Sequence, residues 1–230
     1  MPQNERSISV YQLGSTRYAD VHRLQRRLQS QRRQGSGTDA LLLTEHHPVL
    51  TLGRSHTEPN LRVSPEQVAH YGIDIVQTER GGDITYHGPG QLVAYGIIDL
   101  KGWDLGIIDY VTGLEETVIS SLADWGIRGE RVAKARGVWV NGNKIASLGL
   151  NVRRSVTMHG IAFNVDPDMS HFDLINPCGM PDVQMTSLVA ETKKQVPLAE
   201  VVESFVFHFS RTFSCVTVLK DVAAPAVAHG

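Results

Sequence analysis

Asn141-Gly142 constrains this chain more than any other pair of residues. It lies between the apolar run Gly137-Val138-Trp139-Val140 and the stretch Lys144 to Asn151. Asn-Gly is the favoured two-residue hairpin turn, because both positions need positive φ. The middle of the chain is therefore committed to antiparallel sheet. Lys144 falls just past the turn. Strand alternation puts it on the face of Ala146, Leu148 and Leu150. That face is apolar, and burial disfavours an ammonium, which would suit Lys144 to accept a proton. The alternative is a lysine at a strand end that snorkels to water, and spacing alone favours it.

Elsewhere the pattern mixes helices with short strands. Tyr18, Val21, Leu24 and Leu28 recur at helical spacing, and Gln34-Gly35-Ser36-Gly37 ends that helix. Ala40 to Thr44 and Val49 to Leu52 read as buried strands. Ser64-Pro65-Glu66 starts a short helix, with serine as cap and proline in the first turn. Ile73 to Thr78, Gln91 to Ile98 and Val156 to Val165 read as further strands. Val111, Leu114, Val118, Leu122 and Trp125 form a second helical stripe closed by Gly126. Leu198 to Phe213 reads as a closing helix. Strand pairs mixed with separate helices predict an α+β fold with a mixed, largely antiparallel sheet. One domain spanning residues 1–230 is expected, with its core over about 8–215 and a frayed tail over 221–230.

Composition excludes several classes. The chain has 230 residues, 41% hydrophobic and 20% charged, with net charge −2. No pull toward nucleic acid or an anionic membrane follows from that balance. Arg23, Arg26, Arg27, Arg32 and Arg33 form a local basic patch, read as a solvated helix face or as a surface that meets an acidic protein. Residues 1–10 lack a basic segment followed by an apolar stretch, and no run approaches the ~20 apolar residues of a membrane helix. The cytoplasm is the expected compartment, which keeps thiols reduced.

Two cysteines, Cys178 and Cys215, make no disulfide scaffold. Cys215, between Phe213 and Val216, reads as core. Cys178 sits in Ile175-Asn176-Pro177-Cys178-Gly179, a turn that can hold a thiol outside regular structure. It is a candidate nucleophile, balanced against an inert buried cysteine. The segment Arg80-Gly81-Gly82-Asp83-Ile84-Thr85-Tyr86-His87-Gly88-Pro89-Gly90-Gln91 joins two strands and admits a ligand close to the main chain. It lacks the Gly-Lys-Ser/Thr ending of a phosphate loop and the spacing of a dinucleotide fingerprint. A plain hairpin loop explains Gly81-Gly82 but not the arginine, histidine and glutamine held with them. His159 follows a strand, where a lone histidine is more often structural. His46-His47 suggests a metal, but no CxxC or HExxH spacing completes a site, so no metal is expected.

Six blocks together resemble the lipoyl(octanoyl) transferase family. They are Glu45-His46-His47-Pro48-Val49 with Thr51-Leu52-Gly53-Arg54; Arg80 to Gln91; Gly137-Val138-Trp139; Lys144-Ile145-Ala146-Ser147-Leu148-Gly149; His159-Gly160-Ile161-Ala162-Phe163-Asn164; and Pro177-Cys178-Gly179 followed by Thr186-Ser187-Leu188. They run in family order, and the combination is highly specific. One departure is His47, where the family often has proline; His46 still matches.

The resemblance implies a fold shared with lipoate-protein ligases and the catalytic domain of biotin protein ligases: a large mixed sheet, a smaller second sheet and flanking helices. It implies transfer of an octanoyl group from octanoyl-acyl carrier protein to one lysine of a lipoyl domain. The acceptors are 2-oxo acid dehydrogenase complexes and the glycine cleavage H protein. It carries a Cys/Lys dyad onto Cys178 and Lys144, and an acyl pocket onto Arg80, Gly81, Gly82, His87, Ser147, Leu148, Gly149, His159, Gly160, Ile161 and Ala162. No cofactor is implied, since thioester exchange needs no ATP, and a monomer is expected. Backbone N–H groups near Gly149 or Gly179 are candidate oxyanion donors. Three rivals remain: an ATP-dependent lipoate or biotin ligase, a non-catalytic acyl-carrier-binding module, and a Cys-His hydrolase with His159 or His87 as base.

Overall fold

The computed structural model describes residues 6–180 and 182–220. The tail over 221–230, expected to fray, lies outside the described residues. The chain runs β1 (Arg6–Thr16), α1 (Tyr18–Arg33), β2 (Ala40–His46), β3 (Val49–Leu52), α2 (Pro65–His70), β4 (Asp74–Gln77), β5 (Ile84–His87), β6 (Gln91–Ile97), α3 (Ile107–Asp124) and β7 (Glu130–Val132). It continues through β8 (Ala135–Val140), β9 (Asn143–Arg153), β10 (Val156–Asn164), α4 (Leu188–Thr192), α5 (Leu198–Phe213) and β11 (Cys215–Leu219).

Eight strands form one sheet in the order β11-β1-β2-β6-β10-β9-β8-β7, and β4-β3-β5 form a second. β1 pairs in parallel with both neighbours, and the rest of the large sheet is antiparallel. The expected α+β fold with a mixed sheet and a smaller second one is present. Central strands are covered on both faces, which is why they read as continuous apolar runs. Leu41, Leu43, Leu92 and Ala94 face α3 and α5, with Leu114, Val118, Phe205 and Phe209. Leu42, Val93 and Tyr95 face α1, with Tyr18 and Val21.

Several elements differ from the expectation. β1, β7, β11 and the short helix α4 were not anticipated, and β1 lies between β11 and β2 rather than at the edge. The Arg80–Gln91 segment is not all loop, since Ile84–His87 forms the buried strand β5. The buried face of α1 is Tyr18, Val21, Gln25 and Gln29, while Leu24 and Leu28 are only partly buried. The glutamines face inward because β10 needs partners for its backbone. Gln25 Oε1 accepts from the His159 amide at 2.8 Å, and Gln29 Nε2 donates to the Val156 carbonyl at 3.0 Å. His159 has φ +63° inside a strand, a departure from regular pairing that makes such outside partners necessary.

Buried polar side chains join the two sheets. His87 Nδ1–H donates to Gln91 Oε1 at 2.7 Å, and its other nitrogen accepts from Thr51 Oγ1 at 3.3 Å, the tautomer following from the amide's orientation. Gln91 Nε2 donates to Asn164 Oδ1, and Asn164 Nδ2 donates to the Thr186 carbonyl. His46 bonds Tyr95 Oη at 2.9 Å and Thr16 Oγ1 at 3.1 Å.

Burial holds both rings neutral. It lowers His46 from 6.5 to about 4, and His87 from 6.5 to about 3 with help from the nearby His46. The unfolded chain binds these protons near pH 6.5 while the native state does not. Their stabilisation is therefore complete above about pH 6.5 and is lost as pH falls toward 4 and then 3, at up to about 1.4 kcal/mol per pH unit for each ring. Urea midpoints measured from pH 8 to pH 4 should be flat at the top and fall below about 6.5. The fall should be shallower in His46→Gln, and an identical slope in that variant would contradict this assignment.

Candidate active site

The hairpin at Asn141-Gly142 forms as expected, with φ +49° and +82°. Its strands, however, are not in simple register. Val138 pairs with Ala146, but Trp139 pairs with Lys144, so Ile145 is an extra residue in β9. A bulge of this kind shifts the side-chain alternation by one. Ile145 and Ala146 both enter the core under α3 and α5. Lys144 is thereby placed on the opposite face, beside Trp139, and not with Ala146, Leu148 and Leu150 as alternation alone predicts. The snorkelling alternative is also overturned, because Lys144 is 1% exposed.

Space for the lysine comes from Gly137, which has φ +119°. A Cβ there would lie 2.6 Å from Lys144 Cε and would also strike the Ala146 carbonyl. The Gly137 amide is anchored on Glu115 Oε1 at 2.9 Å, and Glu115 itself is buried and paired with Arg131. Lys144 Nζ lies 5.4 Å from the Trp139 ring centroid, a cation–π contact that offsets part of the lost hydration. The bulge also turns the Lys144 backbone outward. Its N–H donates to Gln184 O, and its C=O accepts from the Thr186 amide.

That segment follows the cysteine turn directly. Pro177–Gly179 is a single 3₁₀ turn in which Cys178 takes φ +58°, a left-handed conformation uncommon outside glycine. The turn is held from outside. The Asn176 amide donates to the Asn60 carbonyl at 2.8 Å, and Asn60 Nδ2 donates to Asp83 Oδ2 at 2.6 Å. Asp83 Oδ1 in turn accepts from the Ile84 amide and meets His56 Nδ1 at 3.0 Å. So fixed, the half-exposed Cys178 places Sγ 3.3 Å from Lys144 Nζ. The other thiol, Cys215, is buried, and burial pushes it up to about 11.

Cys178 stands at one wall of a cleft between the two sheets. Arg80, Gly82, His87, Ser147, Leu148, Gly149, His159, Gly160, Ile161 and Ala162 all line it. Gly81 does not; its amide donates to Leu150 O and ties the loop to β9. Tyr18, Asp83, Thr85, Val93 and Tyr95 complete the wall and were not singled out from the sequence. Tyr18 and Tyr95 read there as ordinary core positions of a helix and a strand, and only the packing of α1 over β6 brings them to the cleft.

Arg80 is the one arginine buried in this wall. Nε donates to Thr51 Oγ1 at 3.1 Å, and the terminal nitrogens donate to the Thr51 and Gly81 carbonyls. Burial pushes its guanidinium below its ordinary value, and neighbouring Tyr18 and Cys178 oppose that shift. Among the described residues no carboxylate lies within ion-pair distance of it. The Gly179 amide is spent on Asn176 O, which removes it as an oxyanion donor. Ser147 Oγ, buried in the cleft wall, makes no hydrogen bond among the described residues.

Neither histidine of the cleft hydrogen-bonds Cys178. His87 is committed to Thr51 and Gln91, and burial lowers His159 from its usual value. His46 and His47 part company as well, the first fully buried on Tyr95 and the second exposed.

Gly137→Ala tests the lysine's seating. The added methyl should lower stability by about 1–3 kcal/mol, from overpacking and from the positive φ. Urea unfolding measures it, and a loss under about 0.5 kcal/mol would show that the strand relaxes around the methyl.

Comparison with known proteins places this arrangement. Residues 17–210 match the lipoyl protein ligase A/B catalytic domain model. The chain is 47% identical to an octanoyltransferase of Chloroflexus aggregans over 211 residues, covering 90% of this chain and 96% of that one. It is 45% identical to an octanoyltransferase of Syntrophobacter fumaroxidans over 208 residues, covering 90% and 91%. Among solved structures, a bi-partite lipoate protein ligase of Thermoplasma acidophilum superposes with TM-score 0.74 at 15% identity, covering 94% of this chain and 87% of that one. A biotin protein ligase of Aquifex aeolicus does so with TM-score 0.55 at 13% identity, covering 90% and 70%. The distant structures share the fold, while the family model and the close relatives carry the assignment: this chain belongs to the lipoyl protein ligase A/B catalytic domain family, among its octanoyltransferases.

Proposed function

We propose that this acyltransferase moves an octanoyl group from octanoyl-acyl carrier protein to a lysine of a lipoyl domain, through a thioester on Cys178. The observation that carries the reading is the 3.3 Å contact between Lys144 Nζ and Cys178 Sγ at the wall of the cleft. Lys144 takes the thiol proton, and the resulting thiolate is the nucleophile. Sulfur attacks the thioester carbonyl and the carbonyl oxygen becomes negative. As the tetrahedral species collapses, the C–S bond to the carrier breaks and the leaving carrier thiolate takes the proton from the Lys144 ammonium, which returns to the neutral amine. The acceptor amine then attacks the octanoyl-cysteine, giving up a proton to neutral Lys144 as the amide forms and Cys178 is released.

Two groups suit the transient oxyanion. Ser147 Oγ is a donor without another partner, and the Arg80 guanidinium supplies positive charge in a water-poor wall. Ile161, Ala162, Leu148 and Val93 give the acyl chain its apolar lining. The acceptors proposed are the lipoyl domains of 2-oxo acid dehydrogenase complexes and the glycine cleavage H protein. No helix of the described residues is long and apolar enough to cross a membrane; we place the enzyme in the cytoplasm, as a monomer.

Intact-protein mass after mixing with octanoyl-acyl carrier protein and no acceptor should show a gain of one octanoyl group. The gain should be absent in Cys178→Ala. Transfer to acceptor without any adduct would remove Cys178 from its role. Lys144→Met should reduce transfer by about 10²-fold or more. Activity from free octanoate and ATP without carrier protein would instead indicate a ligase.

Chain length gives a second test. Each buried CH₂ contributes about 0.8 kcal/mol, so shortening the acyl group by two carbons should lower kcat/KM roughly tenfold. Equal rates for hexanoyl and octanoyl donors would mean that the cleft does not hold the chain.

A further inference from the structure

His22 of α1, Glu79 just before the Arg80 loop and His159 of β10 turn metal-ligating atoms toward one point. His22 Nε2 lies 2.8 Å from Glu79 Oε2, and His159 Nε2 lies 3.8 Å from the same oxygen. All three ligand atoms fall within 4.8 Å of one another. His159 is 1% exposed, yet among the described residues neither of its ring nitrogens has a hydrogen-bond partner. Buried imidazoles are normally satisfied, so a buried ring aimed at this point with nothing to bind calls for a partner.

The donors are held on fixed backbone. The Glu79 carbonyl accepts from Asn151 Nδ2 at 3.0 Å, and the His159 amide donates to Gln25 Oε1 at 2.8 Å. The His22 and His159 rings stack with centroids 5.6 Å apart. Arg26 Nε sits 3.2 Å from the other carboxylate oxygen, Oε1, on a side chain that is 62% exposed. It neutralises Oε1 from the solvent side and leaves Oε2 to the histidines.

We propose that His22, Glu79 and His159 form a binding site for a zinc-like divalent ion, which clips α1 to β10. Two imidazoles and a carboxylate are a donor set for zinc, with the remaining position left to water. The same set disfavours magnesium and calcium, which take oxygen donors. Metal–ligand bonds of about 2.0–2.2 Å in a tetrahedron put donors about 3.3–3.6 Å apart. The present separations bracket that range, so shifts of about an ångström, within side-chain torsional reach, close the site. His22 lies four residues after Tyr18 on one helix face, so the ion would steady a wall of the acyl cleft. Cys178 and Lys144 supply none of its ligands, and the site stands or falls independently of the transfer chemistry.

The test is a titration of the chelator-stripped, reduced chain with Zn²⁺ or Co²⁺ alone. Calorimetry should give one Zn²⁺ per chain, and Co²⁺ should give visible bands of a nitrogen and oxygen site without sulfur charge transfer. His22→Ala, a change on the half-buried helix face, should weaken Zn²⁺ binding about tenfold or more, whereas Cys178→Ala and His47→Ala should not change it. The thermal midpoint should rise with Zn²⁺ in the native chain and not in His22→Ala. No stoichiometric binding, sulfur ligation of Co²⁺, or unchanged binding in His22→Ala would each overturn the proposal. The Co²⁺ spectrum of the unaltered chain decides the matter even if the variant folds poorly.

Discussion

A lysine side chain in the interior is the constraint around which the site is arranged. An ammonium is costly to bury, and Lys144 is almost wholly withdrawn from water. What it receives in return is the Cys178 sulfur and the face of Trp139. Each neighbour then has a reason to be what it is. Gly137 is a glycine because a methyl would occupy the space of the lysine stem. Ile145 is bulged because regular alternation would turn the amine into the core under α3 and α5. Residues 184–186 run beside the Lys144 backbone because the bulge exposes its N–H and C=O, and this ties the cysteine turn to the lysine's own strand.

The cleft follows from how two sheets meet. The large sheet offers Val93, Tyr95, Ser147 and Ala162; the small sheet and its loop offer Arg80, Thr85 and His87. The chain from His87 through Gln91 and Asn164 to Thr186 pins one sheet on the other with buried hydrogen bonds. Burial keeps the His87 ring of this chain neutral, so protonating it would place a charge in the dry joint between the sheets, which is therefore sensitive to acid. The cysteine turn is bound to the small-sheet side through Asn60 and Asp83, and the lysine belongs to the large sheet. The Cys178–Lys144 contact therefore spans the joint, and any loosening there separates thiol from amine.

Local signals were legible where a short-range physical rule acts alone. The Asn-Gly turn, the serine cap and first-turn proline of α2, the stripe of α3 and the full span of α5 need only nearest neighbours or helical spacing. Strands β1 and β11 were missed: they are each other's partners, and their register joins Arg6 to Cys215 across most of the chain, a pairing that no local pattern states. The inward glutamines of α1 were missed for a related reason. Hydropathy selects leucines for the buried face, while the actual choice was made by unpaired backbone groups on β10, more than 120 residues away.

At the site, residue types and their order were determined by the sequence. A thiol between proline and glycine, a lysine after a two-residue turn, and glycines beside an arginine and a histidine are all written in the chain, and they were enough to resemble one family. Which way the lysine points was decided by tertiary structure alone. A single extra residue in β9 reverses its face, and nothing in Lys144-Ile145-Ala146 announces a bulge. Lys144 is paired at once with Trp139 of β8 and with Met185, and neither partner is adjacent to it in sequence. Likewise, Tyr18, Tyr95 and the His22–Glu79–His159 cluster come together only when α1 packs across β6 and β10, since their separations in sequence carry no local signal.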